Sequence, residues 1–307
     1  MNVYRGIPST WDTGGSRTAV GIGVFDGVHR GHVAVLDGLR ERADGLPVVA
    51  MTFATHPDEV VTGVPGPPAL SPLARRIELL GAVGVDGVAV IEFDNDVRQL
   101  SPEEFVKGYI VDGLNAAIVA VGDGFRFGYD AEGNVDTLRI CANKFGFEVV
   151  ITPIVELHGT EVRSSVIRAA IGSGGVALAA RMLGRPFEIE GIVVPGDARG
   201  RKIGFPTANI TMPDCLVRPA TGVYAVRCEV DGVTYDGVSN VGTRPTFGGG
   251  DETIEVYLFD VDLDLYGETM LVQFIDRLRN EQRFTSADAL VTQIKSDIEQ
   301  ARAALEM

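Results

Sequence analysis

The hydrophobic period changes once along this chain, and that change constrains the fold more than any other feature. In the first half, apolar strand-like runs at residues 19–25, 47–53, 87–92, 117–121 and 148–152 alternate with helical patterns at 32–43, 72–83, 101–108 and 135–145. Strands separated by helices predict a parallel sheet in an α/β layout. Ser101-Pro102-Glu103-Glu104 supplies a helix start, with a capping serine, a first-turn proline and then acids. From Glu188 onward the strands are short or alternating, clearest at 222–230, 234–239, 253–259 and 269–276, with Asp231-Gly232 as a hairpin signal. This second pattern predicts a small antiparallel barrel or sandwich. An amphipathic helix over about 286–305 follows it. Short helices at 164–170 and 176–183 close the first domain, and the boundary is expected near Gly184-Arg185-Pro186. A length of 307 residues accords with two domains.

Composition narrows the function classes. No apolar run approaches the roughly 18 residues that span a bilayer. Residues 1–17 are polar and lack a signal-peptide layout, so the expected location is the cytoplasm. A net charge of −15 disfavours nucleic acid and anionic membranes as partners. Arg199, Arg201 and Lys202 form one basic cluster, suited to a single polyphosphate. The three cysteines, Cys141, Cys215 and Cys228, share no metal-ligand spacing and form no evident disulfide framework.

Two of the four histidines fall within His29-Arg30-Gly31-His32, directly after the first apolar strand. Free backbone N–H groups at a helix start favour an anion there. Gly27 and Gly31 remove side chains where a phosphate must come close. Two imidazoles three residues apart can both reach that anion and stabilise charge that builds on phosphorus. Two commoner phosphate motifs fail: Gly21-Ile22-Gly23 lacks the third glycine of a dinucleotide fingerprint, and the loop from Gly196 to Lys202 is not followed by Ser or Thr as a P-loop would be.

In the second half, Gly204-Phe205-Pro206-Thr207-Ala208-Asn209 follows the glycine-rich basic loop that begins at Gly196 and holds Arg201 and Lys202. Such a loop can wrap a polyphosphate with backbone amides and positive charge. Thr207 and Asn209 share one side of an extended segment and carry hard oxygen donors for Mg²⁺. The same pair also fits a plain strand-start turn. Along 253–259, Glu255, Tyr257 and Phe259 face opposite to Ile254, Val256 and Leu258. A carboxylate beside two aromatics fits a general base next to a planar ligand, and it also fits a solvated barrel exterior.

The string Phe25-Asp26-Gly27-Val28-His29-Arg30-Gly31-His32 resembles the bacterial bifunctional riboflavin kinase/FMN adenylyltransferase (FAD synthetase) family. Leu100-Ser101-Pro102-Glu103-Glu104-Phe105-Val106, Phe125-Arg126-Phe127-Gly128, the stretch from Gly204 to Asn209, the stretch from Gly237 to Phe247, Asp264-Leu265-Tyr266-Gly267 and Leu278-Arg279-Asn280-Glu281 are similar to the family throughout the chain. The resemblance implies an α/β Rossmann-like nucleotidyltransferase domain over 1–185. It implies a C-terminal antiparallel β-barrel of riboflavin kinase type with a terminal helix over 186–307. It implies phosphorylation of riboflavin to FMN and adenylylation of FMN to FAD, with ATP and Mg²⁺ and with small molecules as the partners. By position, His29 and His32 would act on ATP phosphates together with Gly23, Phe25, Asp26, Gly31, Ser164, Ser165 and Arg168. Thr207 and Asn209 would hold Mg²⁺ and phosphate beside Gly196, Arg201, Lys202 and Gly204. Glu255 would take the proton of the ribityl hydroxyl, and Asn240, Arg279, Glu281 and Phe125 would bind flavin.

Three motifs of the first domain depart from the family. Ala54 and Thr55 precede His56-Pro57 where a Pro-containing, often acidic pair is usual. Gly124 precedes Phe125 where Asn or Asp is usual. Arg163 precedes Ser164-Ser165 where a serine is usual. These changes leave open a riboflavin kinase whose first domain is weak, inactive or retuned. A flavin-binding regulatory protein is a third reading. Thr207, Asn209 and Glu255 argue against it, because binding alone needs no base.

Overall fold

The computed structural model describes residues 1–196, 200, 203–243, 252–261 and 263–306, with the side chains of 243 and 252 excepted. By packing, the chain divides into two compact units, Met1–Ser164 and Ser165–Met307.

The first unit is built on six parallel strands: β1 (Asn2–Tyr4), β2 (Thr18–Ile22), β3 (Val48–Phe53), β4 (Gly87–Ile91), β5 (Ala116–Gly122) and β6 (Glu148–Thr152). Their order in the sheet is β1-β4-β3-β2-β5-β6. Alternate residues of each strand feed two separate cores. Val20, Ile22, Val49, Met51, Val119 and Val121 join one cluster. Ala19, Val48, Ala50, Val88, Ile118 and Ala120 join the other, against Leu36, Leu39, Ile77 and Leu80. Leu36 and Leu39 come from helix α1 (Arg30–Arg42). Two short helices come next in the chain, α2 (Pro57–Thr62) and α3 (Leu73–Ala82), and Ile77 and Leu80 belong to the latter. With both faces covered, β2 and β4 are buried at every position, which explains their continuous apolar runs.

The connection from β2 leads to β3 on one side, whereas β5 lies on the other side of β2. The order therefore reverses between β2 and β5, and ligands of open parallel sheets bind beyond the strand ends at such a point. The segments that follow these two ends carry His29, His32 and Phe125. Strand β2 stops at Ile22 rather than 25 because Phe25 turns into the left-handed region at φ +53. A short helix α4 (Asn95–Arg98) comes first, and the helix expected over 101–108 splits into α5 (Pro102–Phe105), with a complete Ser101–Glu104 capping box, and a π-helical turn at Val106–Gly113. Helix α6 (Val135–Phe145) and a hairpin of β7 (Glu156–Leu157) and β8 (Thr160–Glu161) complete the unit.

The second unit opens with α7 (Ser164–Gly172) and α8 (Val176–Leu183), and the first residue of α7 belongs to the preceding unit. A closed antiparallel barrel follows, made of β9 (Phe187–Val194), β10 (Ala208–Thr211), β11 (Gly222–Val230), β12 (Val233–Thr243), β13 (Glu252–Leu258) and β14 (Thr269–Arg279). The barrel order is β10-β13-β12-β11-β14-β9. Strands β12 and β14 each run longer than their alternation suggested. The terminal helix (Ala287–Leu305) starts at a Ser286 cap and covers part of the outer barrel face. There Val223, Ala225, Val238 and Phe259 pack with Ala301 and Leu305. Among the described residues no helix is long and apolar enough to cross a membrane.

Candidate active sites

In the first unit, His29 is the N-cap of α1. Its Nδ1 accepts the amides of Gly31 at 3.1 Å and His32 at 3.3 Å. An Nδ1 that accepts two N–H groups carries no proton, so the neutral ring holds its hydrogen on Nε2, ready to donate to an anion. The rings of His29 and His32 stack at 3.6 Å and 17°, with Phe25 edge-on to His32 at 5.2 Å. Burial, then His29, then Arg76 lower the His32 pKa well below its ordinary 6.5, so this ring is neutral at neutral pH. Gly31 sits in a tight space: a Cβ would lie 3.0 Å from His29 Cε1 and 3.2 Å from the Val162 carbonyl.

The loop that enters this site is strained. Phe25 and Val28 both hold positive φ, +53 and +41, and both are buried. Positive φ at a β-branched residue is a conformational outlier, and such strain concentrates at ligand sites. Asp26 is buried, and its carboxylate accepts the amides of Leu70 and Ser71 at 2.9 to 3.2 Å. Ser164 donates to the Asp26 carbonyl at 3.2 Å. Gly23 donates its amide to the Met51 carbonyl at 3.1 Å. Ser165 and Arg168 follow on α7, the serine exposed and the arginine half-buried. Phe125, half-buried after β5, stacks on Phe127 at 5.2 Å and 15°.

The retained His56 and two of the altered motif positions, Arg163 and Gly124, have ordinary surroundings. His56 caps α2 by accepting the Asp58 amide at 3.3 Å. Arg163 pairs with Glu161 at 2.6 Å on the surface. A Cβ on Gly124 would meet nothing within 4 Å.

In the second unit, Asn209, Glu255 and Asn240 stand in one row across β10, β13 and β12. Along β13, Ile254, Val256 and Leu258 are buried, whereas Glu255 and Tyr257 are half-buried on the opposite face. That face is partly covered. A cavity of about 310 Å³ lies there between barrel and terminal helix. Phe205, Val223, Val238, Tyr257, Leu290 and Ile294 form its apolar wall, and Thr207, Glu255, Arg279 and Asp297 its polar groups. Phe205 and Tyr257 meet edge-on at 5.5 Å. A second cleft of about 60 Å³, lined by Thr207, Ala208, Val256, Leu258, Asp264 and Tyr266, also borders Thr207.

Glycines of the preceding loop lie against this row. A Cβ on Gly196 would overlap the Asn209 side chain, and one on Gly200 would overlap the Phe205 carbonyl. Gly204 holds φ +90. The Arg201 and Lys202 positions fall outside the described residues. Beside Gly242, where a Cβ would lie 3.1 Å from Glu281 Oε1 and 3.2 Å from Asn240 Nδ2, the Glu281 and Asn240 side chains converge.

Sequence reasoning passed over Arg76 and Asp297. Asp297 is 3% exposed and receives Arg279 through two hydrogen bonds, Nε at 2.8 Å and Nη2 at 2.7 Å, with Gln293 Nε2 at 2.9 Å. The signal was present: each residue is a charge on the buried stripe of an amphipathic helix, Arg76 beside Ile77 and Leu80, Asp297 in step with Leu290, Ile294 and Ala301.

A doubly wound parallel sheet with a two-histidine helix start, and a closed barrel with a carboxylate-lined apolar cavity, define an ATP-dependent group-transfer protein with two separate sites. The FAD synthetase family matches residues 13–166 and the riboflavin kinase family residues 183–305. A bifunctional riboflavin kinase/FMN adenylyltransferase of Pseudomonas fluorescens is 44% identical over 92% of this chain and 91% of its own. That of Escherichia coli K12 is 40% identical over 97% and 96%. A solved structure described as a macrolide-efflux protein from Streptococcus pneumoniae superposes with a TM-score of 0.91 at 36% identity, over 98% of this chain and 99% of the other. The chain belongs to the bifunctional riboflavin kinase/FMN adenylyltransferase family.

Proposed function

We propose that the barrel phosphorylates riboflavin to FMN with ATP and that the α/β unit adenylylates FMN to FAD with release of pyrophosphate. The observation that carries the reading is the cavity under the terminal helix. It is apolar, sized for a planar heterocycle, and brings Glu255 and Thr207 into one wall. Glu255 takes the proton of the ribityl 5′-hydroxyl, whose oxygen bonds to the γ-phosphorus as ADP leaves. Asn240, Arg279 and Glu281 frame the flavin. Gly196, Gly204, Arg201 and Lys202 serve the nucleotide phosphates.

The donors of Thr207 and Asn209 fit Mg²⁺. They are hard oxygens, the donor type this ion takes. An ion held by two such side chains takes its other ligands from phosphate and water. When bound, it neutralises phosphate charge.

The second reaction needs no general base, because the FMN phosphate is already an anion. It attacks the α-phosphorus of ATP, and pyrophosphate departs. His29 donates from Nε2 to the phosphate oxygens, and the neutral His32 orients it by stacking. Gly23 and Gly31 leave room for the phosphates beside the Phe25 backbone, Ser164 contacts them, and Phe125 stacks against the flavin. Asp26 acts through the loop it fixes. The functional division we propose is 1–185 for adenylyl transfer and 186–307 for the kinase, in the cytoplasm, where ATP is supplied, with small molecules as the partners.

Incubation with riboflavin, ATP and Mg²⁺, followed by chromatography and mass spectrometry, tests this. FMN and then FAD are expected. FMN that never advances under excess ATP would rule out the second activity, and no phosphorylated flavin would rule out both.

A further inference from the structure

We propose that Arg76 is a positioning residue for adenylyl transfer, its buried guanidinium holding the ends of two strands in the arrangement that presents His29 and His32. The inference rests on the reading of the two-histidine site as the adenylyl-transfer site.

Arg76 projects from α3 and is 7% exposed. Its Nη1 donates to the Val24 carbonyl at 3.1 Å, to the Phe53 carbonyl at 2.9 Å and to Thr52 Oγ1 at 3.4 Å. Thr52 Oγ1 donates to the same Val24 carbonyl at 2.7 Å. The guanidinium therefore joins the exits of β2 and β3 at the edge of the ligand crevice. The segment just before α3 grips the next residues of the loop: Leu70 and Ser71 amides hold the Asp26 carboxylate, and Ser71 Oγ accepts the Gly27 amide at 3.2 Å. Residues 24, 26 and 27 are thus fixed from one neighbouring segment.

That anchorage surrounds a loop which would not hold its shape alone. Phe25 and Val28 occupy a region that L residues avoid, a strain that surrounding bonds must offset. Two residues after Gly27, the same backbone becomes the His29 cap. The burial cost of the arginine is met in part by the three oxygen acceptors of Nη1, with Nε left unpartnered, and by the facing charge of Asp26, which opposes the lowering of the Arg76 pKa by burial. The Arg76 charge in turn adds to the influences that keep the neighbouring His32 ring neutral. A methionine would fill the same volume with none of these effects. A lysine would keep the charge, but its side chain is one bond shorter and its ammonium could not take the place from which Nη1 serves all three acceptors.

The experiment uses the full chain with Arg76→Met and Arg76→Lys. FMN-to-FAD and riboflavin-to-FMN rates are measured on one preparation, and histidine ring signals are followed by NMR across pH. A displacement of about 1 Å can cost about 100-fold. Arg76→Met is expected to lower kcat for FAD formation about that far, with KM for ATP within about threefold and FMN formation within about twofold. Arg76→Lys should recover part of the loss. In Arg76→Met, the His29 and His32 signals should shift and His32 should titrate higher. FAD formation within threefold of the parent in Arg76→Met would overturn the proposal. If that variant does not fold, a parent-like rate in Arg76→Lys does the same. Should the parent form no FAD, the functional reading fails. The ring signals then decide alone, and unmoved signals in Arg76→Met overturn the positioning role.

Discussion

Glu255 shows how a side chain acquires a task from what covers it. On an open barrel wall it would be one more solvated acid. Under the terminal helix it faces an apolar cavity beside Thr207. Glu255→Gln keeps the shape and removes the base. FMN formation should fall about 100- to 10,000-fold, the usual contribution of general-base catalysis, while supplied FMN is still converted to FAD. Loss of both rates in a folded variant would contradict separate sites. His32 gives a second expectation at this scale. Unfolded, it takes a proton below about 6.5; folded, its lowered pKa keeps it neutral. Its contribution is complete above that pH and shrinks as pH falls towards the folded value, by at most about 1.4 kcal/mol per pH unit. Denaturant titrations at pH 7.5 and 5.5 should show a smaller acid loss for His32→Gln than for the parent. Equal losses would place the proton uptake elsewhere. The two histidines were legible in the sequence, since an imidazole pair at a helix start has few other uses. The cap formed by His29 was not, because only the folded backbone shows which ring nitrogen is occupied.

The elements followed their periodicity where one force dominated. Buried parallel strands and the Asp231-Gly232 hairpin stand where the pattern put them. The pattern misled where local geometry prevailed, at the Phe25 turn and at the π-helical turn Val106–Gly113. Alternation along 253–259 separated two faces of β13, but could not tell that the face with Glu255 is covered, because the covering helix is about 30 residues further along the chain. What fastens that helix is the Arg279–Asp297 pair, 16% and 4% exposed at the side chains. Asp297→Asn leaves a guanidinium without its counter-charge, which for such a pair costs about 3 kcal/mol. The barrel should melt lower, and KM for riboflavin should rise more than kcat falls, with FMN-to-FAD conversion unaffected. A parent-like KM would show that the pair does not shape the cavity.

At the scale of the whole molecule, the border drawn by packing differs from the functional one we propose. Helices α7 and α8 precede the expected boundary at Gly184-Arg185-Pro186, yet all of both but Ser164 falls in the unit of the barrel, and α8 packs against β14 and β9. Val176, Ala179, Met182 and Leu183 are buried, and Arg277 donates to the Ser173 carbonyl at 3.5 Å. Deleting α8 forfeits the burial of three large apolar side chains, about 1.5–3 kcal/mol each, and uncovers the surface beneath them, a loss comparable with the net stability of a small domain. A fragment of residues 165–307 should therefore fold and phosphorylate riboflavin, whereas 186–307 should melt much lower or fail to fold. Circular dichroism and the kinase assay compare them, and equal stability would mean the helices only adjoin the barrel.

Thr207 borders both the wide cavity and the narrow cleft, which lie against opposite faces of β13. Two substrates lodged there would meet at one residue without displacing each other. Neither would have to depart before the other arrives, and the protein would never need to carry the phosphoryl group itself. Double-reciprocal plots for such a kinase intersect rather than run parallel, and a chiral phosphorus passes from donor to acceptor with its handedness inverted.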